Sequence, residues 1–420
     1  MTADSQDLLR QSPDRLTQLL LWLVAGSYAL FIGWTLAGGY RAAARGEMPL
    51  YTDHTPRYAA SLLVREIPAE NLYRPRAMAE AERRTAHVMY DDISDWQAGG
   101  VGFAPWLYPP TFILVIAPLA YLPYLLSWVV WLAATAIPYL AAIRRILPAP
   151  LAWPFALAAP PAFFNTMYGQ TGFLIAGLIG LGLALLDRRP LWAGLLIGLA
   201  SVKPHFGVLI PLALIAGGHW RTFVAATLTV IGTVIASVLA YGDDPWFGFI
   251  GTTLFNLGGF AAGAYNFHAM TTVLSSLRLA GFAQETAWLA QSASAALMAV
   301  VVAWAWWRGR TRSDTRGLQA AILCLATPLA LPMVYLYDLV LAVPAAAWLW
   351  ADLQQRGAHP GERALLISTV AALLTVKAVA MTFGVQLGPL LLALLLGLAL
   401  RRHHAALATA LSVPSQPAIH

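Results

Sequence analysis

Residues 190–217 read PLWAGLLIGLASVKPHFGVLIPLALIAG, two apolar segments that meet at Lys203-Pro204. At about 1.5 Å of helix per residue, neither Leu191–Val202 nor Pro204–Gly217 crosses a hydrocarbon core of roughly 30 Å. Helices that stop short, with proline at the break, usually surround a cavity. An ammonium group at such a break must be paired or must face water. The sequence therefore predicts a membrane-embedded cavity with Lys203 in its wall.

The composition is typical of an all-α polytopic membrane protein. Of the 420 residues, 59% are hydrophobic and 11% are charged, and the mean hydropathy is +0.64, so most of the chain must lie in lipid. Sixteen Trp and fifteen Tyr suit many crossings of the membrane interface. The net charge of +6 then reflects topology and not nucleic-acid binding. The single cysteine, Cys324, excludes an internal disulfide and a cysteine-built metal site.

Short basic clusters predict how the chain threads the membrane. They are Arg144-Arg145, Arg188-Arg189, Arg221, Arg308 to Arg316, Arg356 to Arg363 and Arg401-Arg402. If all of them are cytoplasmic, the chain threads consistently, provided that residues 108–123 enter the membrane and return on the same side. The predicted spans, about twelve in all, are 16–38, 125–143, 150–167, 171–187, 190–202, 205–218, 220–241, 284–307, 317–336, 338–351, 363–384 and 387–400.

The polar stretch 40–107 is predicted to be a first external loop with helices of its own. Thr55-Pro56 has the pattern of an N-cap and a first helical residue, and a second helix is expected from Pro75 to about Tyr90. Both helices should lie along the membrane surface. We expect residues 1–420 to form one integral membrane domain, with a flexible tail at 411–420.

In this topology the polar residues that are costly in an apolar chain converge on the non-cytoplasmic face. They lie in the first loop, at Gly169-Gln170, at Lys203-Pro204-His205, in the segment 243–282 and at Tyr337-Asp338. The cavity should therefore open to the outer side of the membrane.

Several motifs occur in an order that is informative as a set. Asp53-His54-Thr55-Pro56-Arg57-Tyr58-Ala59-Ala60 places an acidic residue before Tyr-Ala-Ala near the start of the first loop. Tyr108-Pro109-Pro110, Pro118-Leu119, Gly169-Gln170 and the segment from Ala193 to Pro204 follow. Up to about residue 241, their order and spacing resemble glycosyltransferase family 87, the polyprenyl-phosphate-dependent membrane mannosyltransferases of the GT-C class.

The resemblance implies a GT-C fold and a specific reaction. A hexose, usually mannose, moves from a polyprenyl-phosphate sugar to a hydroxyl of a glycan or glycolipid acceptor, at the outer face of a bacterial-type inner or plasma membrane. The general base of the class matches Asp53, and a single carboxylate on the acceptor side fits inversion. A monophosphate leaving group needs no metal, so we expect no cofactor besides the donor. From spacing alone, Asp91, Asp92 and Asp95 would be equally plausible acids.

Lys203 is the candidate for binding the donor phosphate, with His205 adding a hydrogen bond. In the alternative interpretation, the Lys203 ammonium extends to the lipid headgroups and takes no part in the chemistry. Lys377, the other lysine, lies mid-run in Leu373–Val379. We interpret it as a buried structural partner of a carboxylate such as Asp338, although it could also contact a pyrophosphate or lipid.

The remaining candidates are substrate contacts, and each has a structural alternative. Gln170 could reach sugar hydroxyls or cap the next helix, and Tyr108 could line a lipid entrance or belong to an interfacial aromatic belt. Asp338 could contact substrate or hold Lys203 or an arginine. The others in this group are His54, Asn266 and His268. Leu331-Pro332-Met333-Val334-Tyr335 departs from the family pattern, which has a histidine in this region, and leaves the acceptor type open.

Other classes of function remain as alternatives. A transporter or flippase for lipids or lipid-linked sugars would also have about twelve spans and broken helices. It would be expected to show an internal repeat, which we do not find, and the large first loop favours an enzyme. An inactive substrate-binding subunit is a third possibility. No P-loop, no HExxH and no dinucleotide-binding glycine motif occurs in the sequence.

Overall fold

The computed structural model describes residues 15–45, 52–86, 105–261, 263 and 265–409, and in these ranges the chain is helical throughout. One isolated antiparallel bridge joins Met270 to Tyr335. The α-helices are α1 (Arg15–Ala44), α2 (Thr55–Glu66), α3 (Pro75–Ala86), α4 (Pro110–Ile116), α5 (Tyr124–Ile146), α6 (Ala149–Ala158), α7 (Pro160–Tyr168), α8 (Gly172–Leu185), α9 (Pro190–Leu199), α10 (Ile210–Ala216), α11 (Trp220–Tyr241), α12 (Asp244–Ala261), α13 (Val273–Leu279), α14 (Gln284–Arg308), α15 (Arg316–Ala330), α16 (Ala342–Gln355), α17 (Glu362–Ala372), α18 (Val376–Phe383) and α19 (Gly388–Thr409).

Six helices within the described ranges are long and apolar enough to cross a membrane. They are Arg15–Arg41, Tyr124–Ile146, Trp220–Tyr241, Gln284–Arg308, Leu336–Gln355 and Gly388–Ala408. A seventh span forms if α17 and α18, which meet at an angle of 61°, count as one. Shorter apolar helices, among them Pro110–Tyr121, Gly172–Leu185 and Pro190–Val202, accompany them. The polytopic, all-α prediction is confirmed, and the number of about twelve crossings stays a prediction.

The helix break predicted at Lys203 is present. Helix α9 tightens into a 3-10 turn at Ala200–Val202, and a second 3-10 turn, Pro204–Gly207, leads to α10. Lys203 between them has φ −133° and ψ 75°, outside the helical region. Glycines let α9 lie close to α11, since a Cβ at Gly198 would come within 2.5 Å of Thr229 Cβ. Both half-helices are therefore held in place where they stop.

The first loop is packed into the protein more deeply than an interfacial helix would be. Helix α2 begins at Thr55, one residue earlier than predicted, and its N-cap position is His54, with no side-chain cap. The Thr55 hydroxyl is 2.9 Å from that of Tyr124 instead. Arg57, Tyr58 and Ala59 to Ser61 are buried. Helix α3 is described from Pro75 to Ala86, and the rest of the helix predicted to about Tyr90 lies outside the described residues. The predicted acids Asp91, Asp92 and Asp95 and the tail 411–420 lie outside the described residues.

Helix α12 was not predicted. It occupies Asp244–Ala261, within the segment expected to be an external connection. Its outward face is apolar, with Phe247, Ile250 and Leu254 exposed. Its inward face contacts the 3-10 turn Ala69–Tyr73 of the first loop, because glycine at position 248 leaves room for the Tyr73 ring. The first loop and α12 thus form a common wall beside the polar cluster described next.

Candidate functional site

Asp53 stands at the centre of a polar cluster built from distant parts of the chain. It lies two residues before α2, and its Oδ2 accepts a hydrogen bond of 3.2 Å from Nε2 of Gln170. Its side chain is partly exposed, although protein atoms crowd it. Burial has the largest effect and raises the pKa of this carboxyl above its usual value, and the Gln170 bond and the charges of Arg57, Lys377 and Lys203 offset part of that rise. Asp53 is thus a partly exposed carboxylate under the influence of three cations.

Gln170 holds Asp53 from a tight turn between α7 and α8. Gly169 has φ +66°, and a Cβ there would come within 2.4 Å of Trp128 Nε1, so only glycine suits this position. Oε1 of Gln170 accepts from Arg57 Nη2 at 3.2 Å and from the backbone N–H of Thr171 at 3.2 Å. The Tyr108 hydroxyl lies 3.4 Å from the same oxygen. Gln170 therefore binds the N–H just before α8, whose first N–H is bonded by Asn165 Oδ1, and its amino group is directed at Asp53.

Arg57 is a member of the site that the sequence reading did not single out. Its side chain is buried and lies over the Trp131 ring, with Cζ 4.5 Å from the ring centroid. Nη1 donates to the Gly169 carbonyl at 2.7 Å. Burial lowers the pKa of Arg57, but a guanidinium stays protonated in proteins. One signal could have revealed it, because an arginine on the buried face of a short helix, four residues after Asp53, needs partners.

His54 lies behind Asp53 and is fully buried. Its Nδ1 is 3.1 Å from Arg57 Nη1, and its Nε2 is 2.9 Å from Ser127 Oγ. Burial and the Arg57 charge lower the pKa of His54 to about 2. Both ring nitrogens have protein partners and no surface faces a substrate, so this geometry does not favour the predicted substrate contact.

Lys203 and Asp338 form a buried ion pair in which Nζ is 2.5 Å from Oδ1. The other oxygen, Oδ2, accepts from the backbone N–H of Tyr335 at 3.1 Å. The rings of Phe206 and Tyr337 lie 5.1 and 5.2 Å from the ammonium. Of the two predicted roles of Asp338, holding Lys203 is the one seen. Two N–H bonds of Lys203 remain for a further acceptor.

Lys377 joins the same cluster from the first turn of α18. Its Nζ donates to the hydroxyl of Tyr168 at 2.6 Å, and it is partly exposed. The Tyr168 ring lies 6.0 Å from that of Tyr337, which in turn stacks on Tyr335. Among the described residues no carboxylate forms an ion pair with Lys377, and Asp338, the carboxylate named in the prediction, binds Lys203 instead.

The other predicted residues lie around the cluster or at its margin. His205 is exposed beside the Lys203 break, and the Tyr108 ring packs 4.5 Å from that of Phe112. Asn266 and His268 are exposed, and Asn266 Oδ1 accepts from the backbone N–H of His268. This places Asn266 as the cap of a short 3-10 turn. Contact of either with a substrate stays a prediction.

A mainly apolar cavity adjoins the cluster. It has a volume of about 340 Å³ and lies between the first loop and α12, lined among others by Tyr73, Met78, Trp106 and Phe255. Its size is within the range of small-molecule pockets. The Trp106 ring is 5.1 Å from that of Tyr108, whose hydroxyl approaches Gln170. One aromatic residue therefore separates the cavity from the polar cluster.

The arrangement places a carboxylate among cationic side chains that could bind an anion. Three cationic side chains, Arg57, Lys203 and Lys377, act on Asp53, and Asp338 neutralises part of their charge. With Asp53 ionised, the five groups carry a net charge of about +1. Within the described ranges no group of three or more His, Cys, Asp or Glu side chains could hold a metal ion.

Comparisons with known proteins gave one match. The sequence model of glycosyltransferase family 87 matches residues 106–333, more than half of the chain. This range includes Gln170 and Lys203 and ends before Asp338. No curated protein and no solved structure matches the chain.

Proposed function

This chain belongs to glycosyltransferase family 87, and we propose that it transfers a hexose from a polyprenyl-phosphate donor to a hydroxyl of a glycan or glycolipid. The proposed hexose is mannose. The observation that supports this most is the carboxylate of Asp53, partly exposed and held by Gln170 among three cations. A base next to positive charge is what glycosyl transfer from a phosphate requires.

In the proposed reaction Asp53 accepts the proton of the acceptor hydroxyl. The acceptor oxygen bonds to the anomeric carbon as the bond from that carbon to the phosphate oxygen breaks, and the electron pair leaves with polyprenyl phosphate. One displacement inverts the anomeric centre. The leaving phosphate gains a negative charge and needs no acid if cations stabilise it.

The two lysines are the proposed phosphate ligands. Lys203 retains two N–H donors beside its bond to Asp338, and Lys377 is partly exposed on the other side of Tyr337. A donor phosphodiester carries one negative charge, which matches the net charge of about +1 in the cluster. His205, exposed next to Lys203, is proposed to add a hydrogen bond.

The lipid part of the donor is proposed to lie in the apolar cavity between the first loop and α12. The cavity is one aromatic residue from the polar cluster, and the neighbouring face of α12 is apolar and exposed, as lipid contact requires. We propose further that the fold is of the GT-C class with about twelve crossings, and that the cluster faces the non-cytoplasmic side of a bacterial-type inner or plasma membrane.

Transfer from a defined donor tests this function. Purified protein in lipid vesicles is given radiolabelled polyprenyl-phosphate mannose and a glycolipid extract, in parallel with a labelled nucleotide sugar. We expect labelled product from the lipid donor only, with an anomeric configuration opposite to that of the donor. Asp53→Asn should lower kcat by about 10²- to 10⁴-fold, because the carboxylate supplies the base.

Asp243→Asn is the matched control, since Asp243 is an exposed aspartate on the predicted outer side, and it should transfer normally. A normal rate for Asp53→Asn, transfer from the nucleotide sugar or retention of configuration would contradict the mechanism. Movement of the labelled lipid between leaflets without product would favour a flippase.

A further inference from the structure

Four side chains behind the base form one continuous hydrogen-bonded line. Ser127 contacts His54, His54 contacts Arg57, Arg57 contacts Gln170, and Gln170 contacts Asp53, at 2.9, 3.1, 3.2 and 3.2 Å respectively. All but Asp53 are buried. Arg57 has the central place in this line, and because it is buried it cannot touch a substrate.

Arg57 determines the tautomer of neutral His54, that is, which ring nitrogen carries the proton. A guanidinium only donates hydrogen bonds, so the Nδ1 atom that faces it must be the acceptor. The proton of neutral His54 is then on Nε2, which donates to Ser127 Oγ, and that hydroxyl donates to the Tyr124 carbonyl at 2.7 Å. The donor and the acceptor of each hydrogen bond in this line are therefore defined.

Arg57, together with the backbone N–H of Thr171, also determines which end of the Gln170 amide faces the base. Because Nη2 of Arg57 donates to Oε1, that oxygen points away from Asp53 and the amino group points toward it. The opposite orientation would place an amide oxygen against a carboxylate and the amino group against a guanidinium. The Gly169 carbonyl and the Trp131 ring keep Arg57 in place for this task.

We propose that Arg57 is a positioning residue of the sugar-transfer site, which directs the Gln170 amide at Asp53 and is itself held by His54. The inference rests on the proposed role of Asp53 as base. In the described part of the chain no other cation contacts Gln170. The ordered amide then aims one carboxylate oxygen and leaves the other for the acceptor hydroxyl.

The charge of Arg57 has a second, separable effect. The charged groups that act on Asp53 are Arg57 from α2, Lys203 from the break before α10 and Lys377 from α18. Each stabilises the ionised form and so lowers the pKa of Asp53, against the effect of burial. A base works when it is ionised, so loss of one cation should move the acid limb of the pH–rate profile to higher pH.

The test compares Arg57→Lys and Arg57→Met, with Arg65→Met as the matched control. Arg65 lies on the same helix, bonds a backbone carbonyl and stacks on Tyr121, but it is exposed and remote from Gln170. Arg57→Lys keeps the positive charge but loses the two guanidinium nitrogens that donate to Gly169 and Gln170 at the same time. We expect it to lower kcat about 10- to 100-fold with KM near wild type, because misplacement acts on the reacting geometry. The acid limb should move upward less than in Arg57→Met, because the charge remains and only the Gln170 bond to Asp53 is disturbed.

Arg57→Met should lower kcat similarly and shift the acid limb further upward, whereas Arg65→Met should do neither. If Arg57→Met fails to fold, Gln170→Leu still tests the amide contact. Gln170→Leu should lower kcat as much as Arg57→Lys, and it should raise the acid limb, because the Gln170 bond lowers the pKa of Asp53. The double variant of Arg57→Lys with Gln170→Leu should be no slower than either single variant, since both remove the same contact. Additive losses, or an effect on KM alone, would overturn the proposal.

An infrared titration separates this inference from the proposed function. The C=O stretch of protonated Asp53, taken as the difference from Asp53→Asn, reports its ionisation without any substrate. It should move to higher pH most in Arg57→Met, less in Arg57→Lys, which keeps the charge, and stay near wild type in Arg65→Met. An unshifted titration in Arg57→Met refutes the charge effect, even if the chain transfers another sugar or uses another donor.

Discussion

At the level of single residues, the site depends on buried charges that all have partners. Lys203 pairs with Asp338, and Arg57 has two oxygen acceptors and an aromatic face. A buried ion pair adds little stability over an apolar pair, but removal of one member leaves an uncompensated charge. The pairing of Lys203 is therefore a condition for folding as well as a feature of the site.

Removal of Lys203 alone should destabilise the protein more than removal of both partners. Lys203→Met leaves the buried Asp338 carboxylate without its cation and should cost about 3–5 kcal/mol, whereas Lys203→Met with Asp338→Asn should recover much of that loss. Thermal unfolding in detergent measures the order of the variants. Arg84→Met, which breaks the exposed pair with Glu66, should cost at most about 1 kcal/mol. Equal losses for the single and double Lys203 variants would contradict this account.

At the level of elements, the site is assembled where helices stop. The turn from α7 to α8 brings Gln170 to Asp53, the break between α9 and α10 presents Lys203, and the 3-10 helix Leu336–Leu341 presents Asp338. Side chains at helix ends can approach one another from several directions, whereas those within packed helices have only their neighbours. The glycines at these ends allow the close approach.

Gly172→Ala should disturb the site by pushing two elements apart. A Cβ at Gly172 would come within 2.4 Å of the Tyr337 carbonyl and 2.7 Å of Asn165 Oδ1, and Tyr337 precedes Asp338. We expect a loss of about 1–3 kcal/mol and slower transfer, measured by thermal unfolding and by the transfer assay. Gly232→Ala, on α11 with nothing within 4 Å, should be neutral or stabilise by up to about 1 kcal/mol. A tolerated Gly172→Ala would show that the two elements can separate without harm.

At the level of the whole molecule, the arginine clusters are predicted to lie on the cytoplasmic side of the membrane and the polar cluster on the opposite side. Exposed Arg76 lies at the start of α3 in the first loop, and exposed Arg145 lies near the end of α5. Cys324, the single cysteine of the chain, is buried, so it should give little background in thiol labelling.

A membrane-impermeant maleimide tests this orientation. Applied to intact cells, it should label Arg76→Cys and leave Arg145→Cys unlabelled until the membrane is opened, because the positive-inside rule places Arg145 in the cytoplasm. Denatured samples of both variants control for expression. Labelling of Arg145→Cys in intact cells would reverse the proposed orientation.

Most helices are predictable from the sequence, but α12 and α13, both within the segment 243–282, are not. The bounds of α5, α11 and α14 agree closely with the predicted spans, because long apolar runs between arginines carry a strong local signal. Helix α12 was missed because Asp243-Asp244, Pro245 and several glycines interrupt its pattern. Its apolar character becomes clear only when one face packs on the first loop.

Membership of the membrane class and the helix break at Lys203 were readable in the chain, since transfer of apolar residues into lipid depends on local composition and a Lys-Pro pair is costly wherever it lies in such a run. The role of Asp53 as base comes from the family resemblance and stays a prediction. The partners of the charges were not readable. Arg57 meets Gly169 and Gln170, and Lys203 meets Asp338, across more than a hundred residues. Which cation neutralises which carboxylate was decided by the packing of helix ends, because electrostatic energy depends on distance in space and not on separation along the chain.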